Sequence, residues 1–330
     1  MRRVLKAVGV LLGCLVLVAV AGLGYLFVAY PKVGPAGDVR VEGTPERIAR
    51  GQYLANHVSV CTDCHSQRDY TKYAGPIRPE SFGAGGEVWD ESIGFPGRVV
   101  SRNLTPAGLG TWTDGEILRA FTEGVSRDGT PLFELMPYTT YGRHMAREDA
   151  QAIVAYLRTL PTRQVTLPER HLNFPLPLVV RTMPVAASQP ATAPKPSDGR
   201  AYGEYLTRIA ACADCHTPRD ESMALRTDRH LSGGQEFIMP NGLIARSANL
   251  TPDATGLRGW TRETFVARFR AFRDGAGYVP VASSDFNTPM PWGPYSGMSD
   301  DDLNAIFDYL QSVPAIANTV EKVGRRAADE

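Results

Sequence analysis

Cysteine, histidine and net charge are all scarce in this chain. Five cysteines and six histidines occur in 330 residues. Cys61 and Cys64 form one close pair, Cys212 and Cys215 another, and Cys14 stands alone in an apolar N-terminus. With both pairs committed to one repeated pattern, no pair remains for a structural disulfide. Lysine plus arginine total 35, as do aspartate plus glutamate, so the formal net charge is zero. Neither half carries a run of like charge, which excludes the electrostatic footprint of a nucleic-acid-binding protein. Sustained alternation of apolar and polar residues is also missing, so no sheet is predicted.

What is present is a pentapeptide that occurs twice: Cys61-Thr62-Asp63-Cys64-His65 and Cys212-Ala213-Asp214-Cys215-His216. Cys-x-x-Cys-His is the spacing of covalent c-type haem attachment. Two thiols three positions apart on one turn can each form a thioether to a vinyl group of one porphyrin. The histidine directly after them then lies under the iron as its proximal ligand. A thioredoxin-like pair or half a zinc site would use the same cysteines. Neither explains the repeated histidine, and no further cysteine pair completes a zinc cage. Two covalently attached haem c groups are expected, with His65 and His216 as iron ligands. Haem c is attached outside the cytoplasm, so this part of the chain is expected in the periplasm of a bacterium.

The N-terminus agrees with export. Arg2, Arg3 and Lys6 precede 24 uncharged residues, Ala7 to Tyr30, and Pro31-Lys32 ends the stretch. That length crosses a bilayer as a helix. The basic cluster before it places the N-terminus in the cytoplasm and the bulk of the chain outside. Residues 1–31 are therefore expected to anchor the protein in the inner membrane. Cleavage after Ala19-Val20-Ala21 is the alternative, disfavoured because Leu23 to Tyr30 stays apolar beyond it.

The remainder is an internal repeat. Gly51-Gln52-Tyr53-Leu54 matches Gly203-Glu204-Tyr205-Leu206, Gly85-Gly86 matches Gly233-Gly234, and Asn103-Leu104-Thr105-Pro106 matches Asn249-Leu250-Thr251-Pro252. Trp112-Thr113 matches Trp260-Thr261, Met136-Pro137-Tyr138 matches Met290-Pro291-Trp292, and Tyr156-Leu157 matches Tyr309-Leu310. Two domains are predicted, 32–165 and 199–315. A linker rich in proline joins them over 166–198, and 316–330 is a charged tail. The linker reads as an extended, semi-rigid spacer, with its apolar Phe174–Val180 portion on a domain surface. Each domain reads as helical. Thr44-Pro45 and Thr113-Asp114 look like helix starts, and Pro161 and Pro314 like stops.

A sixth iron ligand must come from the methionines or the unmatched histidines. Met136 and Met290 lie 75 and 78 positions after the first cysteine of their motifs, each followed by proline and an aromatic residue. They are the expected axial ligands. Met145 and Met298 also match each other, but each sits just before a helix, where an apolar residue packs back as a staple. His57, His144, His171 and His230 have no counterpart in the other half and read as surface or hydrogen-bonded residues.

The ordered set of Cys-x-x-Cys-His, Gly-Gly, Asn-Leu-Thr-Pro, Trp-Thr, Met-Pro-aromatic and Tyr-Leu resembles the membrane-associated multihaem cytochrome c subunits of periplasmic dehydrogenases, such as the quinoprotein alcohol and nicotinate-type enzymes. The resemblance covers about residues 44–161 and 199–314. It implies a mainly α architecture of two tandem class I cytochrome c domains behind a transmembrane helix, with His/Met haem irons. It also implies electron transfer from a dehydrogenase to the respiratory chain, through an oxidase, a quinone site or a soluble cytochrome. An iron held by histidine and methionine has no open position for substrate, so an electron carrier rather than an enzyme is expected. The alternatives are a cytochrome bound permanently to a terminal oxidase or reaction centre, and a dihaem enzyme of peroxidase or thiosulfate-oxidising type.

Overall fold

The computed structural model describes residues 1–325. Helix α1 (Arg2–Ala29) has none of its residues buried. Among the described residues it is the one helix long and apolar enough to cross a membrane.

Beyond α1 the chain folds as two halves. The first contains α2 (Pro45–Tyr53), which runs on through a π-helical turn at Leu54–Val58. The motif helix α3 (Cys61–Cys64), strands β1 (Val88–Asp90) and β2 (Gly97–Val100), and helices α4 (Pro106–Leu109), α5 (Asp114–Glu123), α6 (Tyr138–His144) and α7 (Arg147–Leu157) complete it. The linker supplies β3 (His171–Leu172) and α8 (Leu176–Val180). The second half contains α9 (Arg200–Ile209), motif helix α10 (Cys212–His216), β4 (Glu236–Ile238), β5 (Leu243–Arg246), α11 (Arg262–Arg270), α12 (Trp292–Ser296), α13 (Asp300–Leu310) and β6 (Val323–Arg325).

The helix ends follow local chemistry. The Thr44 hydroxyl accepts from the Arg47 amide at the start of α2. Thr113 and Glu116 cap α5 reciprocally, and Ser299 accepts from the Asp302 amide to open α13. These side chains satisfy amides that have no partner inside the helix.

The expectation of no sheet is corrected. Two small antiparallel sheets form, in the orders β1-β2-β3 and β4-β5-β6. Their strands are two to four residues long, too short to register as a period-two pattern. The linker is also not an extended spacer. Its β3 pairs with β2, and its Pro190 and Ala191 carbonyls accept from the Arg147 and Glu148 amides. Helix α7 has no side-chain cap at Ala146, so the linker satisfies its first amides instead. Of the charged tail 316–330, Val323–Arg325 is β6, paired with β5, and residues 326–330 lie outside the described residues.

The halves share one plan. In each, the first helix crosses the last at a glycine: Gly51 of α2 lies against Ala152 of α7, and Gly203 of α9 against Ala305 of α13. The halves are then joined reciprocally. The Tyr53 hydroxyl donates to the Asp302 carboxylate and accepts from the Ser299 amide. The Tyr205 hydroxyl donates to Asp149 at 2.5 Å and accepts from the Ala146 amide. Asp149 also takes a two-pronged contact from Arg50, at 2.9 and 2.8 Å. Tyr53 and Tyr205 are matched residues of the repeat, so this is a pseudo-twofold contact of the kind that joins identical subunits. Tyr53→Phe and Tyr205→Phe are each expected to lower stability by roughly 1–3 kcal/mol, the value of a hydrogen bond to a buried charge. The check is the urea midpoint of each variant; an unchanged midpoint in both would mean that the exchanged contacts do not stabilise the protein.

Candidate haem sites

Both motifs occupy the same place in their halves. Each motif helix begins after a residue other than glycine in the left-handed region, Val60 at φ 43° and Ala211 at φ 54°. This conformation is costly for valine above all. Each histidine is then fixed twice. The His65 carbonyl accepts from the Gly85 amide and that of His216 from Gly233, at 2.8 and 2.7 Å. The rings bond too: Nδ1 of His65 lies 2.7 Å from the Arg102 carbonyl and Nδ1 of His216 lies 2.8 Å from the Ala248 carbonyl. A carbonyl only accepts, so Nδ1 carries the proton and Nε2 keeps its lone pair for a metal. Burial lowers the pKa of both rings, with the carbonyl contact acting the other way. The neutral, metal-binding form is thereby favoured.

The glycine pair and the Asn-Leu-Thr-Pro segment therefore serve the histidine. Gly85 is at φ +76°, and a Cβ there would fall 2.4 Å from the Ser101 carbonyl oxygen. Asn103 folds its side chain onto Thr105, at 2.9 Å to the amide and 2.7 Å to the hydroxyl, and donates to the Arg163 carbonyl beyond α7. Asn249 repeats this with Thr251 and Ile316. The turn thus ties the residue before it, Arg102 or Ala248, to its histidine. The repeat marks these segments in the sequence; that their backbone carbonyls orient the rings is a fact of tertiary structure.

All five cysteine thiols are free. Burial pushes the Cys61 and Cys212 thiols up to about 12. Disulfide-exchanging Cys-x-x-Cys pairs show the opposite, a thiol pKa lowered toward neutrality. The four motif cysteines, the two free Nε2 atoms, and the half-buried Met136 and Met290 packed on the core fit a covalent haem in each half. Met145 and Met298 are fully buried just ahead of the N-cap residues of α7 and α13, where the staple places them.

Two buried tyrosines outside the recognised motifs also brace the sites. Tyr141 donates to the Ser59 carbonyl at 3.1 Å and Tyr295 to the Ala210 carbonyl at 2.7 Å, each just upstream of a motif. Their matched positions in the repeat are the sequence signal that points to them. The halves also meet at the motifs. Thr140 of α6 reaches Asp214 of the second motif at 3.3 Å, and Arg68 reaches the Pro289 carbonyl beside Met290 at 3.0 Å. Of the unmatched histidines, His57 contacts the Pro294 carbonyl across the halves at 2.9 Å. His144 ends α6 beside Arg208, and His171 lies on β3.

Residues 201–314 match the cytochrome c family, so the second half of this chain carries a cytochrome c domain. The chain as a whole is similar to cytochrome c subunits of dehydrogenases. It is 29% identical over 294 residues to the cytochrome c subunit of the quinone alcohol dehydrogenase of Gluconacetobacter polyoxogenes, covering 82% of this chain and 56% of the relative. It is 27% identical over 293 residues to the fructose dehydrogenase cytochrome subunit of Gluconobacter japonicus, covering 84% and 54%. The chain spans little more than half the length of these relatives. A diheme cytochrome c-type protein of Cereibacter sphaeroides matches end to end, 28% identical over 316 residues, covering 92% of this chain and 97% of the relative.

Proposed function

We propose that this chain is a dihaem c-type cytochrome that passes electrons from a dehydrogenase on the periplasmic side of the inner membrane toward the respiratory chain. In this reading residues 1–31 are the anchor, and residues 32–165 and 199–315 are two class I cytochrome c domains. Cys61 and Cys64 hold one haem, Cys212 and Cys215 the other. His65 with Met136, and His216 with Met290, ligate the irons. The observation that carries it is the matched pair of Nδ1–carbonyl bonds, which leaves an oriented Nε2 in each half.

Each haem supplies a one-electron couple whose potential methionine ligation raises relative to a second histidine. The chain's own residues do the rest. The Arg102 and Ala248 carbonyls hold the imidazoles in one tautomer. The proline after each methionine restricts the loop that presents the thioether. The Tyr–Asp contacts between halves fix one site relative to the other. The equivalence of the two halves supports a relay over a dihaem enzyme, which needs one site open to substrate.

Optical redox titration of Met136→Ala and Met290→Ala tests the ligand assignment, with carbon monoxide added to the reduced protein. Each variant is expected to keep both haems attached, lower one midpoint and bind about one carbon monoxide per chain, whereas the parent protein binds none. Unchanged midpoints in both variants would refute the methionine assignment.

A further inference from the structure

The linker carries an apolar protrusion that the relay reading leaves unused. Between Asn173 and Arg181 the sequence is Phe-Pro-Leu-Pro-Leu-Val-Val, seven residues without a charge. The segment is pinned at both ends, by Leu172 on β2 and by Val180, which is 1% exposed. Between the pins it stands out. Phe174 is 82% exposed, Val179 is exposed, and so are Pro175 and Pro177. An exposed apolar cluster on a held loop calls for a partner.

The place of this cluster identifies the partner. Arg181, directly after α8, donates to the carbonyls of Phe27 and Tyr30 at 3.1 and 2.6 Å, and its guanidinium lies 4.4 Å from the centre of the Phe27 ring. Lys32 pairs with Val185 as a parallel bridge and sits 5.0 Å over the Tyr30 ring. The protrusion is thus bonded to the last turn of α1. That helix has 28 residues and is about 42 Å long at 1.5 Å per residue, against roughly 30 Å of bilayer hydrocarbon. Its surplus length falls in the headgroup zone. Tyr25, Phe27 and Tyr30 have the aromatic character of that zone, and Arg181 and Lys32 suit anionic headgroups.

We infer that Phe174–Val179 inserts into the outer surface of the bilayer that α1 crosses, giving the first haem domain a second membrane contact beside its anchor. The segment is an interfacial element, with apolar side chains at the headgroup–acyl boundary and Arg181 at the phosphates. A helix alone holds the domain only where Lys32 and Arg181 meet the end of α1, and leaves it free to tilt with that helix. A second contact holds the relay at one height and tilt above the membrane, which sets where a membrane-bound acceptor meets it. The inference rests on α1 being a retained anchor.

The test uses full-length, haem-loaded protein in vesicles of phosphatidylcholine and phosphatidylglycerol. An environment-sensitive fluorophore is attached at native Cys14, at Phe174→Cys in a Cys14→Ser background, or at Met223→Cys in the same background. Met223 is 66% exposed on the second half and serves as the aqueous control. Nitroxide-labelled lipid is expected to quench the probes at 14 and 174 by about twofold or more and to leave 223 unchanged, while iodide does the reverse. Iodide quenching at 174 with lipid quenching at 14 would overturn the surface contact and leave the anchor standing. Shielding of 174 from both quenchers would assign the cluster to a protein and overturn the lipid reading. Absence of label at 14, with the N-terminus missing from the purified chain, would remove the anchor on which the inference rests.

Discussion

Gly51→Ala and Gly203→Ala are each expected to disrupt the half that carries them. A Cβ at Gly51 would lie 1.8 Å from the Ala152 carbonyl oxygen, and one at Gly203 1.9 Å from that of Ala305. The obstacle is helix backbone, which cannot rotate away as a side chain can. The first and last helices would have to separate along their whole contact. Leu54 and Ile153 in one half, and Leu206 and Ile306 in the other, would lose packing. Overpacking a well-filled core costs about 1–3 kcal/mol, and a backbone clash falls at or beyond the upper end. Against a total of roughly 5–15 kcal/mol that is a large loss, expected as a fall in melting temperature of about 10 °C. Thermal unfolding by circular dichroism measures it. Gly259→Ala, where nothing lies within 4 Å, is the neutral control. Equal melting of Gly203→Ala and this control would mean that the α9–α13 crossing is wrong.

Arg68→Gln should disturb the haem of the other half. The Arg68 side chain is 8% exposed and faces Asp63, inside the first motif, at 3.4 Å. It donates to the carbonyls of Gly75 at 2.8 Å, Ala74 at 2.6 Å and Pro289 at 3.0 Å. Pro289 directly precedes Met290. The loop that presents Met290 is otherwise braced from the first half by Asn287, whose amide donates to the Tyr70 and Lys72 carbonyls and whose oxygen accepts from the Ala74 amide. Tyr73 stacks on Phe272 from the same side. Removal of the guanidinium leaves Asp63 buried without its cation, a loss of about 3 kcal/mol or more, and frees the carbonyl beside Met290. Its repeat counterpart Arg219 bonds instead to the Met223 carbonyl, four residues on. Reduced Arg68→Gln is therefore expected to bind carbon monoxide at the second haem, and Arg219→Gln to bind none. Proton NMR of the ligand methyl groups, assigned with the two methionine variants, identifies the haem affected. Carbon monoxide binding by both arginine variants, or by neither, would refute this asymmetry.

The difference between Arg68 and Arg219 shows where sequence reading stops. Both come three residues after a Cys-x-x-Cys-His motif and before an aspartate. Which of them crosses to the other half depends on how two folded halves dock. The same holds for Tyr53 and Asp302, 249 residues apart and bonded. The helix caps, by contrast, are legible because an N-cap and its amide lie three residues apart. The small sheets are not, because two to four residues carry no period. Nor is the packing of the linker, because its role is to satisfy amides of a distant helix.

Local sequence alone carries the two Cys-x-x-Cys-His motifs, the duplication, the apolar N-terminal segment and the candidate methionines. Covalent spacing, hydropathy and repetition act over short stretches of chain. Three-dimensional packing sets the rest: the Arg102 and Ala248 carbonyls orient the two imidazoles, the halves clasp through exchanged Tyr–Asp pairs, and the Met290 loop leans on the first half. Packing likewise decides that Arg181 ties the linker to the exit of α1. Each of these is a hydrogen bond between residues far apart in the chain, and its partner is chosen by packing rather than by neighbouring sequence.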